Sequence, residues 1–379
     1  MMSRFDVREI EAVTRVIRSG KLSRFFEDFR GGTENQSFEK EFAEYIGTKH
    51  AIAVSNGTVS LEIALKAMDI GKGDEVITTP LSFIATATAI LSVGATPVFA
   101  DIDGNTLNIN PEEVEEAITK KTQAIIPVSL VGYPAEMPRI MEIAAENDLF
   151  VLEDAAQALG AEINGKKIGT FGDMGSFSFQ ETKQITTLGE GGMIVTDSDV
   201  LAEACRNIRN HGNYYGNLTK SVSTNARMTE AQAAFGRVQL TKLDMFNKLQ
   251  IENAEYFLAN LPKAMDPIYS NIPGNYKPVY LLIAVGFAVK PSTRTELLET
   301  LKREGISKGV PGQNVGYYKS LMYESAIVRE RCKKPVECPI AEIMRDCVVV
   351  FDIHRWRSRG LVDKTLEVLN DFFEVKENE

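Results

Sequence analysis

The sequence is poor in the residues that build metal centres and disulfide frameworks. It contains three histidines and four cysteines in 379 residues, and Cys205, Cys332, Cys338 and Cys347 show no metal-ligand spacing. A histidine-rich metal site is therefore not expected, and we predict no metal. We interpret the cysteines as reduced thiols, which are usual in the cytoplasm, and predict a cytoplasmic protein.

Basic tracts and long apolar runs are also missing. The net charge is −10, from 42 basic and 52 acidic residues, and no cluster of lysine and arginine stands out. Nucleic acid is therefore not an expected partner. Residues 1–6 contain no apolar core and do not resemble a signal peptide. The longest strongly apolar run, residues 279–289, is too short to span a bilayer and predicts a buried strand, so no membrane partner is expected.

Segments with strand and helix character alternate over the first part of the chain. Short apolar runs at residues 51–55, 75–78 and 124–128 are separated by helical patterns such as residues 59–68 and 137–147. This βαβα order predicts an α/β fold with a mostly parallel sheet flanked by helices.

The alternation changes after about residue 245. Residues 271–277 are rich in Pro, Gly and Asn and predict a linker. Thr293 and Glu296 form a capping-box pattern that predicts the start of a helix. We predict a large domain over residues 1–245 and a smaller α+β domain over residues 246–379.

Lys183 lies between an apolar, phenylalanine-containing run and a glycine-rich turn, in the segment SFSFQETKQITTLGEGG at residues 176–192. Desolvation in such surroundings can remove the charge of a lysine. A neutral lysine amine can form a Schiff base with an aldehyde cofactor. Most lysines are solvated surface residues, so the lysine alone does not establish this chemistry.

Two segments carry groups suited to a phosphorylated aromatic cofactor. Residues 55–58 (Ser-Asn-Gly-Thr) lie between a strand and a helix, where backbone N–H groups and the Thr58 hydroxyl can hold a phosphate; an ordinary turn is the alternative. Residues 153–157 (Glu-Asp-Ala-Ala-Gln) end an apolar strand, the edge where α/β sheets bind ligands. There Asp154 could pair with a cofactor cation or cap a helix, and Gln157 could bond a neighbouring oxygen.

Two more residues complete the set. Phe83 follows the strand at residues 75–78, where it could stack on a flat cofactor or be an ordinary core residue. Ser178 lies five residues before Lys183. A phosphate site, an acid and a lysine, in this order, are the parts that pyridoxal 5′-phosphate (PLP) requires.

These segments belong to a longer pattern that resembles the DegT/DnrJ/EryC1/StrS family of sugar aminotransferases. The matching segments are SNGTVSL at 55–61, GKGDEVI at 71–77, GATPVF at 94–99, EDAAQ at 153–157 and GEGG at 189–192. The similarity covers nearly the whole chain. It implies a fold-type-I PLP-dependent transferase that works as a homodimer with shared active sites.

The resemblance also implies roles for single residues. Lys183 is expected to hold the cofactor, Asp154 to contact the pyridine nitrogen, Gln157 the ring hydroxyl and Phe83 the ring face.

The phosphate is expected to contact Gly57, Thr58 and Ser178, and Asn225 is expected to reach the phosphate of the partner subunit. The segment at residues 224–230 departs from the family's Gly-x-Asn-Tyr-Arg-Met pattern, because it lacks the Gly and the Tyr.

The predicted activity is transfer of an amino group from glutamate or glutamine to a nucleotide-linked keto-sugar, as in polysaccharide biosynthesis. Lys183 favours transamination because the sugar dehydratases of the family carry a histidine there. The patterns FSFQ at 177–180 and CPIAE at 338–342 point to a second acceptor class, the keto-cyclitols. A non-catalytic regulatory protein and a fold-type-I lyase are further alternatives.

Overall fold

A computed structural model describes residues 4–25, 27–212, 223–269, 273–286, 291–306, 320–332, 336–352 and 358–377. Within these ranges, no helix combines the length and the apolar character that crossing a membrane requires. The same ranges contain no group of three or more His, Cys, Asp or Glu residues that could hold a metal ion.

Helices and strands alternate in the first half of the described chain. The helices are α1 (Val7–Ser19), α2 (Thr33–Ile46), α3 (Gly57–Ala67), α4 (Ala85–Ser92), α5 (Pro111–Ala117), α6 (Met137–Glu146), α7 (Asp199–Arg209), α8 (Glu230–Leu240), α9 (Leu243–Ala259), α10 (Pro291–Arg303), α11 (Ala326–Arg331), α12 (Pro339–Cys347) and α13 (Arg359–Glu377). The strands are β1 (His50–Val54), β2 (Glu75–Thr78), β3 (Thr96–Phe99), β4 (Thr122–Ile126), β5 (Phe150–Asp154), β6 (Glu162–Ile163), β7 (Lys166–Lys167), β8 (Met174–Ser178), β9 (Gly192–Thr196), β10 (Asp266–Pro267), β11 (Tyr276–Lys277), β12 (Leu282–Gly286) and β13 (Val348–Asp352).

A seven-stranded sheet forms the centre of the fold, in the order β1-β9-β8-β5-β4-β2-β3. The strands from β8 to β3 are parallel to one another, and β9 is antiparallel to both of its neighbours. The predicted α/β fold with a mostly parallel sheet is therefore confirmed.

Helices cover both faces of this sheet, which explains why its strands are apolar on both sides. One face packs on the aromatic rings of Phe38, Phe42, Phe177 and Phe179. The other face packs on a separate cluster of aliphatic side chains, which includes Ile52, Leu65, Ile126 and Ile194. The sheet is thus held rigidly at its centre, and its strand ends form a fixed edge.

Helix α1 begins and ends where its sequence signals lie. The Asp6 side chain accepts a hydrogen bond from the Arg8 backbone N–H at 2.9 Å, and Glu9 completes a capping box. Gly20, at φ 70°, ends the helix in the left-handed region that glycine favours. The helix buries Val16 against α8.

A second, antiparallel sheet of β10, β12 and β13 lies in the C-terminal part of the chain. Residues from α9, α10 and α13 pack on it, including Phe257, Leu297 and Leu369. The predicted boundary after residue 245 lies within α9, and the division into two domains stays a prediction.

Three local predictions in this region are wrong in whole or in part. Residues 276–277 were expected in a linker but form β11, which pairs with β6, while residues 271–272 lie outside the described residues. Helix α10 begins at Pro291, so Thr293 lies inside the helix and does not cap it. The predicted strand at residues 279–289 begins later, at Leu282, and residues 287–289 lie outside the described residues.

Candidate active site

The predicted site residues follow strands that end at the same edge of the central sheet. Strand β1 runs parallel to β8, because both are antiparallel to β9, and β8 is parallel to β5 and β2 through their neighbours. The carboxyl end of a parallel strand is where α/β sheets bind ligands. The segments after β1, β2, β5 and β8 therefore meet at one edge.

Asp154 is the last residue of β5 and is buried. Its Oδ2 accepts a hydrogen bond from the Thr86 hydroxyl at 2.8 Å, and its Oδ1 accepts one from the Ala156 N–H at 3.2 Å. Burial raises the pKa of Asp154, although both hydrogen bonds and the positive charge of Lys183 act in the opposite direction. Because burial disfavours the charge of the Asp154 carboxylate, this group is suited to a cationic partner.

Lys183 lies in a turn after β8 that its own N–H closes by donating to the Gln180 carbonyl at 2.8 Å. Burial lowers the pKa of the Lys183 amine to about 8, and the charge of Asp154 opposes this change. The structure thus brings Lys183 and Asp154 into one electrostatic environment. An amine with this pKa is partly neutral near neutral pH and can act as a nucleophile or a base.

The start of α3 and the end of β8 are in close contact. The Asn56 side chain caps α3 by accepting from the Val59 N–H at 2.9 Å. The first backbone N–H groups of a helix have no partner within it, so those of Gly57 and Thr58 are available to an anion. A Cβ atom added to Gly57 would lie 2.7 Å from Ser178 Cβ, so only glycine fits there. The three predicted phosphate residues are therefore brought together.

Gln157 is buried behind the acid and is held at two points. Its Oε1 accepts a hydrogen bond from the Val131 N–H at 2.9 Å, which orients the side-chain amide. Its backbone carbonyl accepts one from Gln184 Nε2 at 2.7 Å, which links it to the neighbour of Lys183. Val131 has φ 50°, an unusual value for a β-branched residue.

Phe83 precedes α4, and its side chain is 56% exposed, so it is not the ordinary core residue that was the alternative. The Thr86 N–H donates to the Phe83 carbonyl at 3.3 Å, which places the exposed ring one turn from the residue that bonds Asp154.

Asn225 is exposed and lies in an extended segment beside the end of β1. The Ser55 N–H donates to the Ala226 carbonyl at 2.9 Å, and Arg227 forms a bridge with Val54. The Asn225 Oδ1 accepts a hydrogen bond from Arg227 Nε at 2.7 Å. Asn225 is therefore close to the phosphate segment of its own chain, and its reach to a partner subunit stays a prediction.

Sequence reasoning gave no role to two residues that adjoin Asp154. Thr86 bonds Asp154, and its position in the first turn of the helix after β2 is the signal that could have indicated it. Glu153 points to the opposite side of β5, as the alternation of a strand requires. It accepts hydrogen bonds from the N–H groups of Gly169 (2.8 Å), Phe171 and Gly172 (2.9 Å), and burial raises its pKa to about 7.

This set of groups fits the cofactor that the sequence predicts. The first turn of α3 packs closely on Ser178 and offers backbone N–H groups to a phosphate, Asp154 is a buried carboxyl suited to a pyridinium, and Lys183 is an amine of lowered pKa.

Comparison with known proteins gives consistent matches. The profile of the DegT/DnrJ/EryC1/StrS aminotransferase family matches residues 4–368. The UDP-N-acetyl-3-dehydro-alpha-D-glucosamine 3-aminotransferase of Acidithiobacillus ferrooxidans is 36% identical over 318 residues, covering 84% of this chain and 83% of that protein. The dTDP-3-amino-3,4,6-trideoxy-alpha-D-glucose transaminase of Streptomyces venezuelae is 38% identical over 298 residues, covering 78% and 75%.

A solved structure matches over nearly the whole chain. The structure of DesV from S. venezuelae, in complex with a ketimine intermediate, superposes with a TM-score of 0.87 at 31% identity, covering 97% of this chain and 94% of that chain.

Proposed function

Because the chain belongs to the DegT/DnrJ/EryC1/StrS aminotransferase family and is a PLP-dependent transaminase, we propose that it moves an amino group from glutamate or glutamine to a nucleotide-linked keto-sugar. The observation that carries the proposal is the Lys183 amine of lowered pKa beside the buried Asp154. The two relatives named above for UDP-linked and dTDP-linked sugars support the acceptor class. The match to an aminotransferase family over residues 4–368 argues against a non-catalytic regulator and against a lyase.

Bound PLP supplies an aldehyde that joins amines covalently and a ring that withdraws electrons from the attached carbon. The protein must therefore hold the cofactor, set the protonation of its ring and move one proton. Lys183 would hold the cofactor and, once the donor amine has displaced it, would take a proton from one carbon and return it to another. An amine whose pKa is about 8 can do both near neutral pH.

Asp154 would keep the ring nitrogen protonated. Its two oxygens each accept a fixed hydrogen bond, at 2.8 Å from Thr86 and 3.2 Å from Ala156, so the carboxylate is oriented before the cofactor arrives. A pyridinium beside it would offset the burial that raises its pKa. We assign the ring hydroxyl to Gln157 and the ring face to Phe83.

We assign the phosphate to Gly57, Thr58 and Ser178, at the start of α3. The helix dipole and the free N–H groups of its first turn favour an anion there. We further propose a homodimer in which Asn225 reaches the partner's phosphate, with residues 1–245 binding PLP.

The keto-cyclitol alternative rested on two sequence patterns, and each of them has two residues in a buried core. Phe177 and Phe179 pack in the aromatic cluster under the sheet, and Cys338 and Ala341 are buried in another cluster. Packing is a sufficient reason for these residues, so the nucleotide-sugar acceptor is preferred.

The test is to incubate the PLP-loaded enzyme with glutamate or glutamine and with UDP- and dTDP-linked keto-sugars or a keto-cyclitol, and to detect aminated products by mass. Aminated nucleotide sugar supports the proposal, and amination of the cyclitol alone overturns the acceptor. Borohydride reduction should fix PLP on Lys183. Full activity in Lys183→Ala would refute the assignment of that lysine.

A further inference from the structure

The N-terminal segment reaches the turn that carries Lys183. The Arg4 guanidinium donates one hydrogen bond to the Lys183 carbonyl, at 2.7 Å from Nη2, and another from Nη1 to the Glu181 carbonyl. Both donors belong to one rigid planar group, so the two carbonyls are held at a fixed spacing. A residue near the start of the chain therefore clamps the backbone of the candidate catalytic turn.

Arg4 is itself held by neighbouring residues. Its guanidinium carbon lies 5.5 Å from the centroid of the Phe5 ring, and that ring lies 5.5 Å from the ring of Phe235 on α8. The Arg4 carbonyl accepts a hydrogen bond from Gln239 Nε2 at 3.1 Å. The side chain and the backbone of Arg4 are thus both tied to α8 and its surroundings.

A buried polar cluster fixes the segment below Arg4. Lys242 Nζ contacts Glu9 Oε1 and, at 2.9 Å, Asp6 Oδ2, and Gln239 Nε2 donates to Glu9 Oε1 at 2.7 Å. The side chains of Lys242 and Glu9 are only 3% and 1% exposed. Buried ion pairs with additional hydrogen bonds hold one geometry, so the first turn of α1 is a firm base for Arg4.

The Lys183 turn has complementary restraints on its other sides. Lys183 N–H donates to the Gln180 carbonyl at 2.8 Å, and the Gln184 side chain donates to the Gln157 carbonyl at 2.7 Å. The contact from Arg4 reaches the Lys183 carbonyl, which these two bonds do not restrain. Together the bonds fix the backbone from which the lysine side chain projects.

We propose that Arg4 is a positioning residue that clamps the Glu181 and Lys183 carbonyls and so keeps the Lys183 amine directed at the cofactor site beside Asp154. The inference rests on the proposed function of Lys183 as the cofactor-holding residue. Arg4 acts through the backbone of the turn, because its guanidinium bonds the Glu181 and Lys183 carbonyls. The Arg4 carbonyl contact and the cluster at Glu9 make α1 part of the active-site support.

The test compares Arg4→Ala, Arg4→Lys and the matched control Arg15→Ala. Arg15→Ala also removes a positive charge from the N-terminal segment, but the Arg15 guanidinium pairs with Glu34 at 3.2 Å and contacts neither the Lys183 turn nor the cluster at Glu9. The first readout is the rate at which the holoenzyme loses PLP in the presence of a PLP-trapping reagent. The second is the pH midpoint at which the Lys183 amine of the apoenzyme becomes reactive. Thermal unfolding is measured for every variant.

We expect Arg4→Ala to lose PLP about tenfold faster than Arg15→Ala, since hydrogen bonds from charged groups contribute about this factor. In Arg4→Ala, the pH midpoint at which the Lys183 amine becomes reactive should lie above that of the wild type, because a loosened turn exposes the amine to water. Arg4→Lys keeps the charge but replaces the rigid planar fork by a single nitrogen on a flexible stem, so it cannot hold the two carbonyls at a fixed spacing. Its rate of PLP loss and its midpoint should lie between those of Arg4→Ala and the wild type, and this variant guards against a failure of Arg4→Ala to fold.

Equal PLP loss and equal midpoints in all three variants would overturn the inference. The inference would also be overturned if a lower unfolding temperature accounted for the faster loss of PLP and the pH midpoint of Lys183 did not shift. Arg4 would then have a purely structural role. If borohydride fixes no PLP on Lys183 in the wild type, the proposed function fails instead, which separates the two failures.

Discussion

The hydroxyl of Thr86 donates a hydrogen bond of 2.8 Å to Oδ2 of Asp154. The hydroxyl lies in the first turn of α4 and the carboxyl at the end of β5, so the contact joins two segments at the same sheet edge. It favours the ionised carboxylate, whereas burial favours the protonated form. Thr86 therefore supports the charge that a pyridinium nitrogen would need.

Replacing Thr86 by valine should lower the turnover number and weaken PLP binding, each by about tenfold, because a hydrogen bond to a charged group is lost. Thr86→Ser should retain most of both. PLP titration and steady-state kinetics provide the measurement. Thr88→Val is the matched control, since the Thr88 hydroxyl bonds only carbonyls of its own helix turn, Ile84 at 3.1 Å and Ala85 at 3.2 Å. Equal effects of the two valines would contradict the role of Thr86.

The Lys183 amine of the apoenzyme should become reactive as the pH rises through about 8. The charge of Asp154 raises this pKa, so Asp154→Asn should move the midpoint to a lower pH. Labelling with a small amine-reactive reagent, followed by peptide mass spectrometry at Lys183, gives the midpoint without requiring PLP. Glu181→Gln removes an exposed acid from the same turn and serves as the charge-matched control. A midpoint for Asp154→Asn at or above that of the wild type would disprove the coupling.

Sequence patterns predicted the elements whose signals are local. Strand β2 has the predicted bounds, Glu75–Thr78. Asp154 and Lys183 were predicted because each lies in a segment typical of the family, and the structure places them at one sheet edge. In these cases the information lies within a few neighbouring residues.

The remaining features depend on contacts between distant segments. Thr86 and Arg4 were not predicted, because a hydrogen bond from Thr86 to Asp154 or from Arg4 to Lys183 has no signature in either segment alone. The capping pattern at Thr293 was misleading because Thr-x-x-Glu also fits inside a helix, and a proline at position 291 favours a first helical turn there.

Gly57→Ala should weaken PLP binding, because its Cβ would lie 2.7 Å from Ser178 Cβ and 3.1 Å from Ser178 Oγ. The side chain of Ser178 would have to move away from the start of α3, where the phosphate is proposed to bind. We expect the affinity for PLP to fall at least tenfold, because one hydrogen bond to a charged group is displaced. The affinity for inorganic phosphate should change less. Equilibrium titration of apoenzyme with PLP measures the change.

Two further variants isolate the cause of that effect. Gly274→Ala is a control, because a Cβ there meets no atom within 4 Å. Adding Ser178→Gly to Gly57→Ala removes the atoms in conflict and should restore the folded geometry of the helix start, although it also removes one phosphate ligand. If Gly57→Ala binds PLP as tightly as Gly274→Ala, the phosphate assignment to this contact is wrong.

Glu39→Gln should lower the free energy of unfolding by about 3 to 5 kcal/mol, the cost of breaking a buried ion pair. Glu39 and Arg209 are both buried and form an ion pair. The pair also bonds the backbone of Ala53 on the edge strand β1. Glu39 Oε1 accepts a hydrogen bond from the Ala53 N–H at 2.9 Å, and Arg209 Nη1 donates one to the Ala53 carbonyl at 2.8 Å. The neutral amide can still accept from the Ala53 N–H, but it leaves the Arg209 charge buried without a countercharge, and this is why the loss should be large.

Glu44→Gln is the control, because the Lys40–Glu44 pair is exposed and 3.8 Å apart, and such pairs contribute less than about 1 kcal/mol. Urea unfolding of the apoenzyme measures both, and similar losses in the two variants would show that the buried pair is not what secures the strand leading to Gly57.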